Sequence, residues 1–127
     1  MSLTQIHLWH TQVADLTPLK GMPLTYLNCA NTRVTDLAPL KGMPLTGLDC
    51  FATGVKDLSP LKGMPLEHLA AHFTPVTDLS PLKGMPLKSL RFHIDLKRDG
   101  EILRSIKTLT TINQRPAAEF SKDVDGK

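Results

Sequence analysis

At 127 residues, 41% hydrophobic and 21% charged, the chain has enough apolar material for one ordinary domain and too little charge for disorder throughout. No apolar run approaches the roughly 20 residues of a membrane span, and residues 1–10 lack the charged-then-apolar order of a signal peptide; both fit a cytoplasmic protein, and equally a piece of a longer one. The formal net charge of +3 arises in residues 87–127, with nine basic side chains against six acidic, while residues 1–86 balance at six each, so neither nucleic acid nor a membrane is an expected partner.

A period of 21 residues organises the chain. Residues 3–23, 24–44, 45–65 and 66–86 align without a gap on L-x-x-L-x-[LCA]-x-x-T-x-V-x-D-L-x-P-L-K-G-M-P. The second copy reads LTYLNCANTRVTDLAPLKGMP and the third LTGLDCFATGVKDLSPLKGMP. A match of this length in four copies does not arise by chance.

Each copy opens with apolar positions that a short strand can bury, the intervening residues facing the other way. One such strand cannot bury its side chains alone. Copies stacked about 4.8 Å apart build a parallel sheet over a continuous core. Thr11, Thr32, Thr53 and Thr74 follow the strands and are expected to form a ladder of bonds to backbone groups where the chain turns inward. Val13, Val34, Val55 and Val76 then point into the core. Asp15, Asp36, Asp57 and Asp78 are expected N-caps of a stretch too short for an α-helix; with Pro in its first turn it suits a single 3-10 turn. Gly21, Gly42, Gly63 and Gly84 end that turn at positive φ. Met22, Met43, Met64 and Met85, each before Pro, lead in extended geometry to the next strand and fill the corner beneath it.

The fifth copy departs after LKSLRF. Asp99 is the expected N-cap of an α-helix, with Glu101 in its first turn and Ile102, Leu103, Ile106 and Leu109 at helical spacing. Leu109 to Asn113 reopens the strand pattern as a final edge strand. Pro116 opens a last short helix with Phe120 and Val124 on one face. Residues 87–127 thus read as a divergent repeat plus a C-terminal cap, completing a single domain over 1–127. The first copy has no counterpart of this cap, so its strand edge and core end are expected to be bare. Preceding residues would cover them, or a second copy of the chain in a two-fold dimer joined along residues 3–8.

Residues 3–95 resemble the leucine-rich-repeat family on spacing and turn chemistry, in particular its short internalin-like type with D-[LI]-x-P-L on the convex side. The resemblance implies an α/β solenoid: a right-handed superhelix with a parallel β-sheet lining the concave face, 3-10 turns on the convex side and a helical C-terminal cap. Thr stands where such repeats usually carry Asn or Cys. The D-L-S-P-L-K-G-M-P-L wording also resembles repeat tails attached to bacterial serine/threonine protein kinases. There is no Gly-rich nucleotide loop and no H-R-D or D-F-G segment, so kinase activity is not implied.

In that fold the third and fifth positions of each copy, and often the seventh and eighth, face out from the sheet. The third column reads Gln5, Tyr26, Gly47, His68 and Ser89; the fifth His7, Asn28, Asp49, Ala70 and Arg91. The seventh reads Trp9, Ala30, Phe51, His72 and His93; the eighth His10, Asn31, Ala52, Phe73 and Ile94. The copies differ here and hardly elsewhere, because stacking constrains the framework and not this face. Aromatic, His and Arg side chains on one surface point to protein recognition, with Trp9, Tyr26, Phe51, His72 and Arg91 as the expected contacts. Drift on an unconstrained surface is the other reading.

His72 and His93 share a position in adjacent copies, but zinc needs three or four converging ligands, so they read as solvated or partner-contacting. Cys29 and Cys50, at the inward sixth position, read as buried reduced thiols, although their separation does not forbid a disulfide. The columns Lys20, Lys41, Lys62, Lys83 and Asp15, Asp36, Asp57, Asp78 are expected to neutralise each other weakly. No carboxylate pair, nucleophile–base pair or phosphate loop has supporting context, so no catalytic residue, metal or cofactor is expected. The leading reading is a protein–protein interaction module; the other is a structural or regulatory tail of a larger bacterial protein such as a kinase.

Overall fold

The computed structural model describes residues 4–116. Five short strands recur at the repeat period: β1 (Gln5–His7), β2 (Tyr26–Asn28), β3 (Gly47–Asp49), β4 (His68–Ala70) and β5 (Ser89–Arg91). β6 (Thr111–Ile112) continues the parallel order, and β7 (Arg115–Pro116) returns antiparallel on β6. The result is one seven-stranded sheet in chain order. Register is in phase with the repeat, so Ile6, Leu27, Leu48, Leu69 and Leu90 stand side by side. The final edge is therefore β7, not the Leu109 to Asn113 segment. Asn113 and Gln114 sit at φ 52° and 67°, and this left-handed pair folds the chain straight back. Pro116 lies in β7 instead of opening a helix; Phe120 and Val124 lie outside the described residues.

The inward side chains make one core. Leu24, Leu27, Leu45, Leu48, Leu66 and Leu87 are fully buried, and Met43, Met64 and Met85 fill in beneath them. The threonine ladder forms as the pattern requires. Oγ1 of Thr11, Thr32, Thr53 and Thr74 donates at 2.7 Å to the carbonyls of Leu8, Cys29, Cys50 and Ala71. Each Oγ1 also accepts from the valine N–H two residues on.

Four 3-10 turns follow at Thr17–Leu19, Ala38–Leu40, Ser59–Leu61 and Ser80–Leu82. The backbone N-cap of each is a leucine (Leu16, Leu37, Leu58, Leu79), so the aspartates stand one residue earlier than expected. They still hold the turn. Oδ1 of Asp15, Asp36, Asp57 and Asp78 accepts the N–H two residues on at 2.8–2.9 Å. This Asx geometry leaves the intervening leucine free to enter the core. The hydroxyl and N–H of Thr17 hold Asp15 below the usual carboxylate range, and the N–H and hydroxyl of Ser80 do the same for Asp78. Among the described residues no lysine of the neighbouring column forms an ion pair with these aspartates; turn donors engage them instead. Gly21, Gly42, Gly63 and Gly84 close the turns at φ 82–83°.

In the fifth copy a helix, α1 (Leu96–Ser105), replaces the turn. Its N-cap is Asp95, not Asp99: Asp95 Oδ1 accepts from the N–H groups of Lys97 and Arg98. Asp99 lies one turn further in and is buried. Both of its oxygens take Arg98 at 2.8 Å. Leu103, Ile106 and Ile112 join the core. The Asn113 side chain then completes the ladder, accepting from Phe92 N–H at 2.8 Å and donating to Phe92 C=O at 2.9 Å. The other end differs. Ile6, Leu8, Val13 and Leu19 are only partly buried, whereas their counterparts Leu27, Cys29, Val34 and Leu40 are fully buried.

Candidate functional site

The outward sheet face carries two clusters. The first is centred on Tyr26. Its register partner in β3 is Gly47, and a Cβ there would fall 2.8 Å from Tyr26 Cδ1. The missing side chain lets the phenol ring lie across β3, where its hydroxyl donates to Asp49 Oδ2 at 2.5 Å. The His7 ring packs on Tyr26 from the β1 side, with centroids 5.2 Å apart. Burial, and then the carboxylate acceptor, push the Tyr26 phenol up to about 12.

The second cluster spans the third to fifth copies. The Phe51 and His72 rings stack at 4.5 Å with planes 9° apart, and Phe73 meets His72 edge-on at 5.1 Å. Register places Arg91 beside Ala70. Burial, then the Arg91 charge, lowers the His72 pKa; His93 adds to this and Asp49 opposes it. His72 Nδ1 is buried with no partner among the described residues. Arg91 is exposed and pairs with no carboxylate among them.

Of the five residues singled out by pattern, Phe51 and His72 are in contact and Arg91 acts on His72 electrostatically. Tyr26 belongs to the first cluster. Trp9 belongs to neither cluster; it is 57% exposed and its ring lies against that of His10. The seventh column is not uniformly outward, since Ala30 is fully buried. Phe73 was missed and is, among the described residues, the most exposed large apolar one, at 77%. The eighth column turns left-handed in every full copy: His10, Asn31, Ala52 and Phe73 have φ of 55–62°. Asparagine accepts that conformation; a bulky ring does so at a cost. Only Asn31 hinted at it, and Ala52 and Phe73 hid the signal.

His93 is engaged, its Nε2–H donating to Val76 C=O at 2.9 Å. Among the described residues no three His, Cys, Asp or Glu side chains gather as a metal site would need. Cys29 and Cys50 are free and buried. Burial pushes the Cys29 thiol up to about 12 and Cys50 well above the usual thiol range, so neither is an activated nucleophile. A depression of about 210 Å³ between the third and fourth turns, lined by Lys56, Asp57, Lys62 and Asp78, falls short of the roughly 300–1,000 Å³ of small-molecule clefts. No helix among the described residues is long and apolar enough to cross a membrane.

No family model and no curated protein matches the chain. Among solved structures, the crystal structure of internalin C2 from Listeria monocytogenes strain 4b F2365 matches with a TM-score of 0.64 and 25% identity, over 84% of this chain and 59% of that one. The chain thus spans less than two thirds of that protein's length. Stacked parallel strands, 3-10 turns and this likeness together make the fold a leucine-rich-repeat solenoid similar to that of internalin C2.

Proposed function

We propose that the chain is a non-catalytic protein–protein interaction module that holds a partner segment on its outward sheet face. The observation that carries this reading is the contrast between framework and face. The core repeats almost verbatim from copy to copy, while the face gathers unlike aromatic and cationic side chains, of which Trp9 and Phe73 stand largely exposed. Rings and Arg are the residue types that dominate interface energies. Photo-crosslinking tests it. A photoreactive amino acid replacing Gln5 or His68 on the face should capture a defined protein that one replacing Lys41 on the turn side does not. Changing Trp9, Tyr26, Phe51, His72 and Arg91 together to Ala should abolish capture with the circular dichroism spectrum retained. Equal capture from both faces would overturn the reading.

A second reading rests on the N-terminal end, where Ile6, Leu8, Val13 and Leu19 are incompletely covered. An attached domain would cover them if the chain is a structural or regulatory tail of a larger protein. A second copy would cover them in a two-fold dimer joined through β1. We read α1, β6 and β7 as the cap at the opposite end. Light scattering across a concentration series separates dimer from monomer; a dimer that persists when Ile6 is changed to Asp would exclude this edge.

A further inference from the structure

Phe73 is costly to the fold in two ways. It holds a bulky ring at φ 57°, and it leaves that ring 77% exposed. Asn31, at the same place two copies earlier, shows a residue suited to that backbone. Strain and exposure that return nothing to folding are a signature of function. Arg91 is costly to nothing but is equally unused: it is an exposed cation with no carboxylate partner among the described residues. Ala70 beside it offers no acceptor, and Asp49, further along the same column, is taken by Tyr26. His72 meets Phe73 edge-on and follows Ala70, the register partner of Arg91, by two residues, within the field of that guanidinium. An exposed apolar ring and a guanidinium with no carboxylate partner among the described residues thus both act on His72, itself braced on Phe51.

We propose that this corner of the sheet face takes a protein segment in which a carboxylate adjoins an apolar side chain, the carboxylate paired with Arg91 and the apolar group packed on Phe73. The proposal rests on the sheet face being the binding surface and names the chemistry of the segment. Arg pairs a carboxylate through parallel N–H donors, and opposite charge sets which segment is accepted.

The test titrates the full chain into a fluorescein-labelled Gly/Ser peptide carrying Glu-Phe-Glu at its centre and follows anisotropy. Counterparts carry Lys-Phe-Lys or Glu-Ser-Glu. Saturable binding is expected, about tenfold tighter than to either counterpart. Arg91→Ala and Phe73→Asn should each weaken it by about tenfold. Phe73→Asn should do so with a melting temperature no lower than the parent's, which loss of folding could not produce. Equal affinity for the three peptides, no binding, or parent-level affinity in both variants overturns the proposal. The crosslinking experiment makes no use of charge. Capture on the sheet face together with failure of the acidic peptide overturns this proposal and leaves the binding role standing.

Discussion

Tyr26 reaches Asp49 on the neighbouring strand, and it can do so because its register partner Gly47 has no side chain to block its ring. Tyr26 is the only tyrosine in the chain, so its ionisation can be followed by absorbance without assignment. The native midpoint is expected at about 12. Asp49→Asn keeps an acceptor but removes the charge. The midpoint should fall yet stay above the ordinary 10, because burial is the larger cause. Gly47→Ala should lower it as well, by displacing the ring. Since the folded-state pKa is raised, this group's contribution to stability is complete below pH 10 and is lost as pH rises through about 12. An unchanged midpoint in both variants would show that the contact does not form in solution.

The two cysteines give a second prediction. Both thiols are buried and burial raises both, so the reactive thiolate is scarce and shielded. A thiol reagent such as Ellman's should label neither in the folded protein at pH 8 and both in denaturant. Prompt labelling of one thiol under native conditions would mean that the core opens at that copy. Cys50→Ala, which creates the residue already present at Ala71, should cost about 1 kcal/mol.

The framework was legible because every force acting on it repeats with the chain. Leu27, Leu48 and Leu69 each face the same neighbours, and one pattern fixes strand, core and ladder together. The departures occur where a residue answers to one neighbour. Asp95 and Asp99 are four apart and equally plausible caps by type; which one caps depends on where the chain leaves β5, and the other turns inward to Arg98. β7 was not legible because a two-residue strand with a proline carries no pattern. On the face, Tyr26, Phe51, His72 and Arg91 could be named from their columns. Their pairing could not, because it depends on ring reach and on the gap at Gly47. Phe73 was passed over because its left-handed backbone is imposed by the corner and not by its own preference.

Asp99 is the test of how the last copy is held. It is 1% exposed and accepts Asp95 N–H at 3.1 Å in addition to the Arg98 fork. α1 also carries Gly100 in its interior, which costs a helix about 1 kcal/mol against Ala. Asp99→Ala strips the fork and leaves a backbone donor without its acceptor. A loss of about 2 kcal/mol is expected, read as a drop of several degrees in melting temperature. Asp99→Asn, which still accepts from Asp95, should cost less. Equal losses for the two would place the effect in the charge pair and not in the backbone bond.

His72 supplies the pH dependence. Burial and the Arg91 charge lower its pKa in the folded state, so the unfolded chain takes up the proton first. Stability from this group is complete above its unfolded value near 6.5 and declines as pH falls below it. His72→Phe keeps a ring stacked on Phe51 and removes the buried Nδ1 that has no partner. At pH 7.5 the variant should be at least as stable as the parent, since an unsatisfied buried polar atom costs about 1 kcal/mol or more. Between pH 7.5 and pH 5 it should lose less stability than the parent in urea unfolding. The two slopes are the decisive measurement: if they coincide, His72 titrates as it would in water and its stack on Phe51 does not shield it.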